Sequence, residues 1–223
     1  MRTDSKMERL RYRGPDFDTS GVRVSRFEIP PDDEMDFATF MSHLEQELVG
    51  RGATPGIYAR LEVDDILWMT DTPAERTDHL MAVAMADMRP GGRGLVNGLG
   101  LGCVVAAMLD SLEHVDVVEK DRRIADTVGE WMIGEYGERV DVWIDDAFDI
   151  KWPPGTKWDV VWHDIWPMLS PANLPEMTRL HRRYAKRADW QGSWGQDFCR
   201  WMRDEESRLY ELAVAHGYTG PRP

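Results

Sequence analysis

The sequence predicts an α/β protein with a mostly parallel sheet, helices on both faces and an α+β extension at the N-terminus. Three observations predict it. Short apolar runs at 95–97, 115–118, 140–144 and 158–162 alternate with stretches of helical period. Each of the last three runs ends at an acidic residue or just before one: Glu119, Asp145 and Asp164. A glycine turn, Gly98, Gly100 and Gly102, joins the first run to its helix. Composition allows such a domain: 223 residues are enough for one α/β unit plus an extension, with a sizeable core.

Residues 1–70 form the extension. Val22–Ile29 alternates well enough for one strand, and Pro30-Pro31-Asp32-Asp33 stops it. Met35, Phe37, Phe40, Met41, Leu44 and Leu48 follow at helical spacing, with Gly50 and Gly52 as terminators. Ile57–Val63 and Ile66–Met69 read as two strands joined at Asp64-Asp65.

Residues 71–223 form the nucleoside-binding domain. It opens on a capping box, in which Thr72 caps, Pro73 takes the first helical position and Glu75 lies three residues after the cap. Leu80, Val83, Ala84 and Met88 continue that helix to Pro90. After the glycine turn, Val104, Val105, Met108, Leu109 and Leu112 keep helical spacing. Asp121 caps a helix bearing Ile124, Val128, Trp131 and Met132. Pro171 to Lys186 reads as a helix, Ala188–Ser193 as a poor fifth strand, and Gln196–Ala215 as an amphipathic helix ended by Gly217.

Strand, glycine turn, helix, strand and acid outline a nucleotide-binding βαβ unit. Glycines let backbone N–H groups approach a ligand with no Cβ in the way. A carboxylate at the end of the next strand, Glu119, can accept from both hydroxyls of a ribose. The spacing is G-x-G-x-G, one residue short of the dinucleotide pattern G-x-G-x-x-G.

This loop resembles the first motif of the class I S-adenosylmethionine-dependent methyltransferases. That resemblance implies a Rossmann-like fold, S-adenosylmethionine as cofactor, and Asn97, Gly98, Gly100, Gly102 and Glu119 around it. It further implies that an acid–small pair after the third strand holds the adenine. Asp146 would accept from the adenine amine and the Ala147 N–H would face the ring, with Asp145 as the other register. The chain stops short of the two further strands that such sheets normally add. Either the N-terminal strands complete the sheet, or an edge is left open to a partner such as a second copy.

From Ile57 to Pro167, the segment LWMTDTPAERTDHLMAVAMA followed by strand and glycine turn resembles the polyamine aminopropyltransferases, the spermidine synthase family. His79 lies where that family often has histidine. Two departures weigh against aminopropyl transfer. Leu101 stands where the family's donor-binding aspartate would be. Asp164-Ile165-Trp166-Pro167 keeps only the first acid of the family's D-x-x-D-P. A donor amine therefore loses a partner, and burying an unpaired polar group is costly.

The reading is thus a methyltransferase with an unidentified small-molecule acceptor. Aminopropyl transfer is the alternative, and a non-catalytic binding protein and an NAD-dependent oxidoreductase are the others. Asp164 is the candidate catalytic residue, as an acid that orients an amine or accepts its proton. Asp164 and Trp166 are the candidate acceptor contacts, and Trp190 and Trp194 offer further wall.

Lys and Arg number 27 against 40 Asp and Glu, giving a formal charge of −13, so nucleic acid is a poor partner. Cys103 and Cys199 lie far apart with no C-x-x-C, so neither zinc nor a disulfide framework is expected. No run of apolar residues is long enough to span a bilayer, and the N-terminus has no signal-like core, which points to the cytoplasm.

Overall fold

The computed structural model describes residues 3–36, 41, 52, 54–216 and 218–221. Most of the helical stripe expected from Met35 to Leu48 lies outside them.

Two sheets organise the chain. The first is antiparallel, in the order β1 (Phe17–Thr19), β2 (Val22–Ile29), β3 (Gly56–Val63) and β4 (Ile66–Thr70). Its alternation puts Val22, Val24, Leu61 and Val63 inside. Asp64 and Asp65 both take positive φ (52° and 62°), the backbone of a tight two-residue hairpin. A helix that the sequence did not reveal, α1 (Thr3–Arg9), precedes this sheet.

The second sheet is parallel. Its strands are β5 (Arg93–Asn97), β6 (His114–Glu119), β7 (Val140–Ile144), β8 (Trp158–His163) and β9 (Ala188–Ser193). Their spatial order is β7-β6-β5-β8-β9, so the direction of winding reverses between β5 and β8. This is the expected Rossmann-like arrangement with five strands. The N-terminal strands do not complete it, and β7 and β9 remain its edges.

Alternate residues of the strands face two apolar layers. Val96, Val117 and Val160 face one, with α2 (Pro73–Asp87), α3 (Cys103–Leu109) and a third helical segment. That segment, α4, runs as Arg122–Ile124, a π-helical stretch Ala125–Gly129 and Glu130–Tyr136. Leu95, Val118 and Val161 face the other layer, with α5 (Leu174–Tyr184) and the first turns of α6 (Gln196–Ala215). Leu10, Val24 and Leu61 of the extension belong to the first layer's cluster, so the two sheets share one core.

Buried polar groups fasten the extension. The Asp71 carboxylate accepts from Tyr12 N–H at 2.9 Å and Ala59 N–H at 2.6 Å. The expected capping box is altered. Thr72 makes no side-chain cap bond, and Glu75 accepts instead from the N–H and hydroxyl of Thr70 at 2.8 and 2.9 Å. Among the described residues no helix is long and apolar enough to cross a membrane.

Candidate active site

The carboxyl ends of β5 and β8 open on a cleft of ≈ 1080 Å³. This is the switch point of the sheet, where open α/β folds bind ligands because adjacent loops diverge there. The hairpin of the extension supplies part of the wall through Leu61, Trp68 and Met69.

Most of the residues expected from sequence line this cleft: Gly98, Gly100, Glu119, Asp146, Ala147, Asp164 and Trp166. Asn97 and Gly102 do not. Asn97 is fully buried and bonds side chains under the sheet. Gly102 is a turn residue with φ +73°, and a Cβ there would meet Met132 in the core at 2.9 Å. Leu101 is fully buried too, so it presents no apolar surface to the cleft.

Glu119 is tied to the turn it was expected to complement. Its Oε2 accepts from Leu99 N–H at 2.9 Å and its Oε1 from Asp121 N–H at 2.8 Å. Burial raises its carboxyl above the usual range, and the N–H groups of Leu99, Asp121 and Lys120 oppose that rise. Above Gly100 (φ +52°) lies the Met69 thioether, which also accepts from Leu101 N–H at 3.3 Å.

On the third strand's turn, Asp146 accepts from Phe148 N–H and from Lys120, both at 2.8 Å. Burial raises its carboxyl, but Lys120 and the Phe148 N–H outweigh it and the net is downward. Asp145 also lines the cleft and accepts from the Asp146 N–H at 2.7 Å through one oxygen, whereas both oxygens of Asp146 are engaged, so the two registers read from the sequence both remain beside Glu119.

Asp164 sits on the far side, 3.8 Å from His79 Nε2. Burial pushes its carboxyl up to about 8, and Glu75, Asp78 and Glu119 push the same way. The side chain keeps 19% of its surface open, so water relieves part of that penalty. Beside it, Trp166 donates to Glu176 at 2.8 Å and Trp194 to Asp78 at 3.0 Å. Both rings line the cleft, as does Phe198. Trp190 does not: it stacks on Trp162 with centroids 6.3 Å apart, as part of the packed sheet face.

Sequence reasoning missed Glu176, Phe198 and Met69, and read Glu75 only as a cap. A signal existed for Glu176, an acid at the start of a helix following Trp166, but its spacing to Asp164 has no meaning until the loop is folded. Among the described residues one group of metal-ligand type, His114, Asp116 and Asp141, lies on β6 and β7 at residues away from the cleft. Asp116 there already accepts from Trp158, Trp143 and Arg93 at 2.7–3.3 Å, which uses its carboxylate.

No protein-family profile and no curated protein matches the chain. Among solved structures it is similar to a proposed RNA methyltransferase of Pyrococcus horikoshii, at 21% identity over 57% of this chain and 60% of that one, with a TM-score of 0.43. It is similar to the CcbJ methyltransferase of Streptomyces caelestis, at 17% identity over 50% and 44%, with a TM-score of 0.40. It is also similar to a precorrin 8W decarboxylase of Methanobacterium thermoautotrophicum, at 13% identity over 49% and 55%, with a TM-score of 0.38. The chain spans less than two thirds of each of these proteins. The likeness is one of fold, and the functional assignment rests on the cleft's own residues.

Proposed function

We propose that the chain is an S-adenosylmethionine-dependent methyltransferase whose acceptor is a small molecule bearing an amine. One observation carries the proposal: Gly98, Gly100, Glu119, Asp146 and Ala147 converge on one cleft at the sheet's switch point, opposite Asp164. In this reading Glu119 takes the ribose hydroxyls and Asp146 the adenine amine. The donor's amino-acid end then passes the glycine turn, which requires the Met69 thioether to move from Gly100.

The acceptor side supports an amine. Glu75, Asp164 and Glu176 line it beside Trp166, Trp194 and Phe198. Carboxylates and aromatic faces both attract an alkylammonium. Transfer needs the uncharged amine. Its nitrogen lone pair bonds the methyl carbon, the carbon–sulfur bond breaks, and the sulfonium leaves as a neutral thioether. The proton shed by nitrogen passes to the Asp164 carboxylate, whose raised basicity suits a general base near neutral pH.

The same acidic side favours a second reading, aminopropyl transfer, because that reaction must hold an amine on the donor as well as a diamine. Of the two departures from the polyamine pattern, Trp166-Pro167 lines the cleft where that family has its second acid and favours methyl transfer, whereas Leu101 is buried outside the cleft. Titration calorimetry with S-adenosylmethionine, its decarboxylated form and NAD separates the readings, together with a transfer assay using methyl-labelled donor and a panel of amines. Tighter binding of the decarboxylated donor, or spermidine formed from putrescine, would replace the first reading by the second. Binding without transfer to any amine would leave a binding protein, and tighter binding of NAD would indicate an oxidoreductase.

A further inference from the structure

Beneath the cleft runs a chain of buried hydrogen bonds that the proposed chemistry does not use. Asn97 ends β5 and His163 ends β8, side by side in the parallel register. Both are fully buried. Asn97 Nδ2 lies 2.8 Å from His163 Nδ1, and His163 Nε2 lies 3.3 Å from Gln191 Oε1 on β9. Gln191 Nε2 donates to the His181 carbonyl at 2.9 Å, which fixes the orientation of its amide. On the other side the Tyr184 hydroxyl lies 3.4 Å from Asn97 Oδ1 and 3.1 Å from the Ala147 carbonyl, and it accepts from Trp152 Nε1 at 3.3 Å.

For the uncharged ring that this burial favours, these contacts admit one assignment of protons, and it starts from Gln191, whose amide is fixed by the His181 carbonyl. Gln191 Oε1 can only accept, so His163 Nε2 carries the proton. With the proton on Nε2, His163 Nδ1 is an acceptor and Asn97 Nδ2 its donor. The ring is therefore the uncharged Nε2–H tautomer. The titratable groups packed on it are His181 and Tyr184, with ring centroids at 5.4 and 5.3 Å. No carboxylate bonds either nitrogen among the described residues, so nothing nearby favours a second proton. Burial pushes the imidazole down to about 3, and His181 adds to that against the Gln191 hydrogen bond.

Each end of the chain meets a part of the cleft. Asn97 precedes Gly98, His163 precedes Asp164, and the Asp164 N–H donates to the Asn97 carbonyl at 2.7 Å. Tyr184 holds the carbonyl of Ala147 in the third turn. We propose that Asn97, His163 and Tyr184 are positioning residues: held as the neutral Nε2–H tautomer, His163 fixes the glycine turn, Asp164 and Ala147 at one mutual spacing. The network is a claim about the folded protein. Its catalytic consequence rests on the transferase reading above.

The test has one arm for each part. Long-range nitrogen–proton NMR of the histidine rings reads the tautomer directly, with the His163 signal assigned by its loss in His163→Gln. The expected result is an Nε2–H ring unchanged between about pH 5 and 8, as expected for a buried imidazole. An Nδ1–H ring, or titration near the ordinary value, would overturn the proposal. Asn97→Asp replaces the donating amide by an acceptor, so His163 should take a second proton and titrate inside that range. A ring that stays neutral in this variant would also overturn it. Should Asn97→Asp fail to fold, Tyr184→Phe keeps the ring and removes only the bridging hydroxyl. It should raise the KM for the donor about tenfold while kcat falls less, and a kcat loss with KM unchanged would contradict the positioning role. If the NMR results stand and no donor binds wild-type protein, the transferase reading fails and the network does not.

Discussion

Gly98 and Asp164 touch through their backbones, which joins the glycine turn to the opposite wall of the cleft. Gly98 has φ +96°, and a Cβ built there would overlap the Asp164 carbonyl oxygen. A side chain at 98 therefore meets main chain, which cannot turn aside.

Gly98→Ala should for that reason be among the most damaging single changes in the turn. The left-handed backbone alone costs a β-carbon about 1–2 kcal/mol, and the overlap adds to it. A protein of this size loses roughly 2–4 °C of Tm per kcal/mol, so thermal unfolding should show a drop of at least several degrees. At Gly100 the same substitution meets the far end of Met69, a flexible side chain. Gly100→Ala should cost less, and Met69→Ala in the same protein should relieve part of the loss.

Glu119→Gln should weaken the donor and the fold together. The carboxylate accepts two backbone N–H bonds, and an amide can replace only one of them. Leaving a buried N–H without a partner costs about 1–3 kcal/mol. Loss of the charge should weaken donor binding by about 1.5–3 kcal/mol, the worth of a charged hydrogen bond. Calorimetry and urea unfolding read the two effects separately. A variant that is destabilised but binds normally would leave Glu119 a structural brace of the turn.

Asp164→Asn should stabilise the protein while stopping transfer. The folded carboxyl holds its proton up to about 8, whereas its ordinary value is 3.8. Between those limits the folded state binds more protons than the unfolded one, so stability falls as pH rises through the window. Asparagine does not titrate. The variant's Tm should therefore match wild type near pH 4 and exceed it increasingly up to about pH 8, by a few degrees for a gain of about 1 kcal/mol. Wild-type transfer should rise with pH to a plateau above about 8. A variant that keeps its activity would remove the base assignment.

Glu176→Gln tests the acceptor side alone. Glu176 accepts from Trp166 at 2.8 Å, and its removal takes a charge from that wall without touching the glycine turn. The KM for an amine acceptor should rise about tenfold, which corresponds to ~1.4 kcal/mol, with the donor Kd unchanged. A change in donor Kd of the same size would mean that the two sides are not divided as described.

The parallel sheet was legible because its strands are continuous apolar runs and its turns carry glycine or acid. Ala188–Ser193 was a poor strand on propensity, with Asp189 and Gly192 in it, yet it pairs with β8 over its length. Tertiary pairing overrides local preference at such an edge. The π-helical stretch at Ala125–Gly129 has no sequence period of its own. In the site, Glu119, Asp146 and Asp164 were readable because they end strands or follow them directly. Asn97 ends a strand too, but its side chain points beneath the sheet to His163, and strand position alone does not give the face. Trp166 and Trp190 looked alike in sequence, and only the fold sends one to the cleft and the other onto Trp162.

The most direct test of the central claim is titration of wild-type protein and Glu119→Gln with S-adenosylmethionine and its decarboxylated form. The account predicts saturable one-to-one binding of S-adenosylmethionine, weaker binding of the decarboxylated form, and a loss of about 1.5–3 kcal/mol in the variant. No binding of either compound to a folded wild-type protein, or tighter binding of the decarboxylated one, would contradict it.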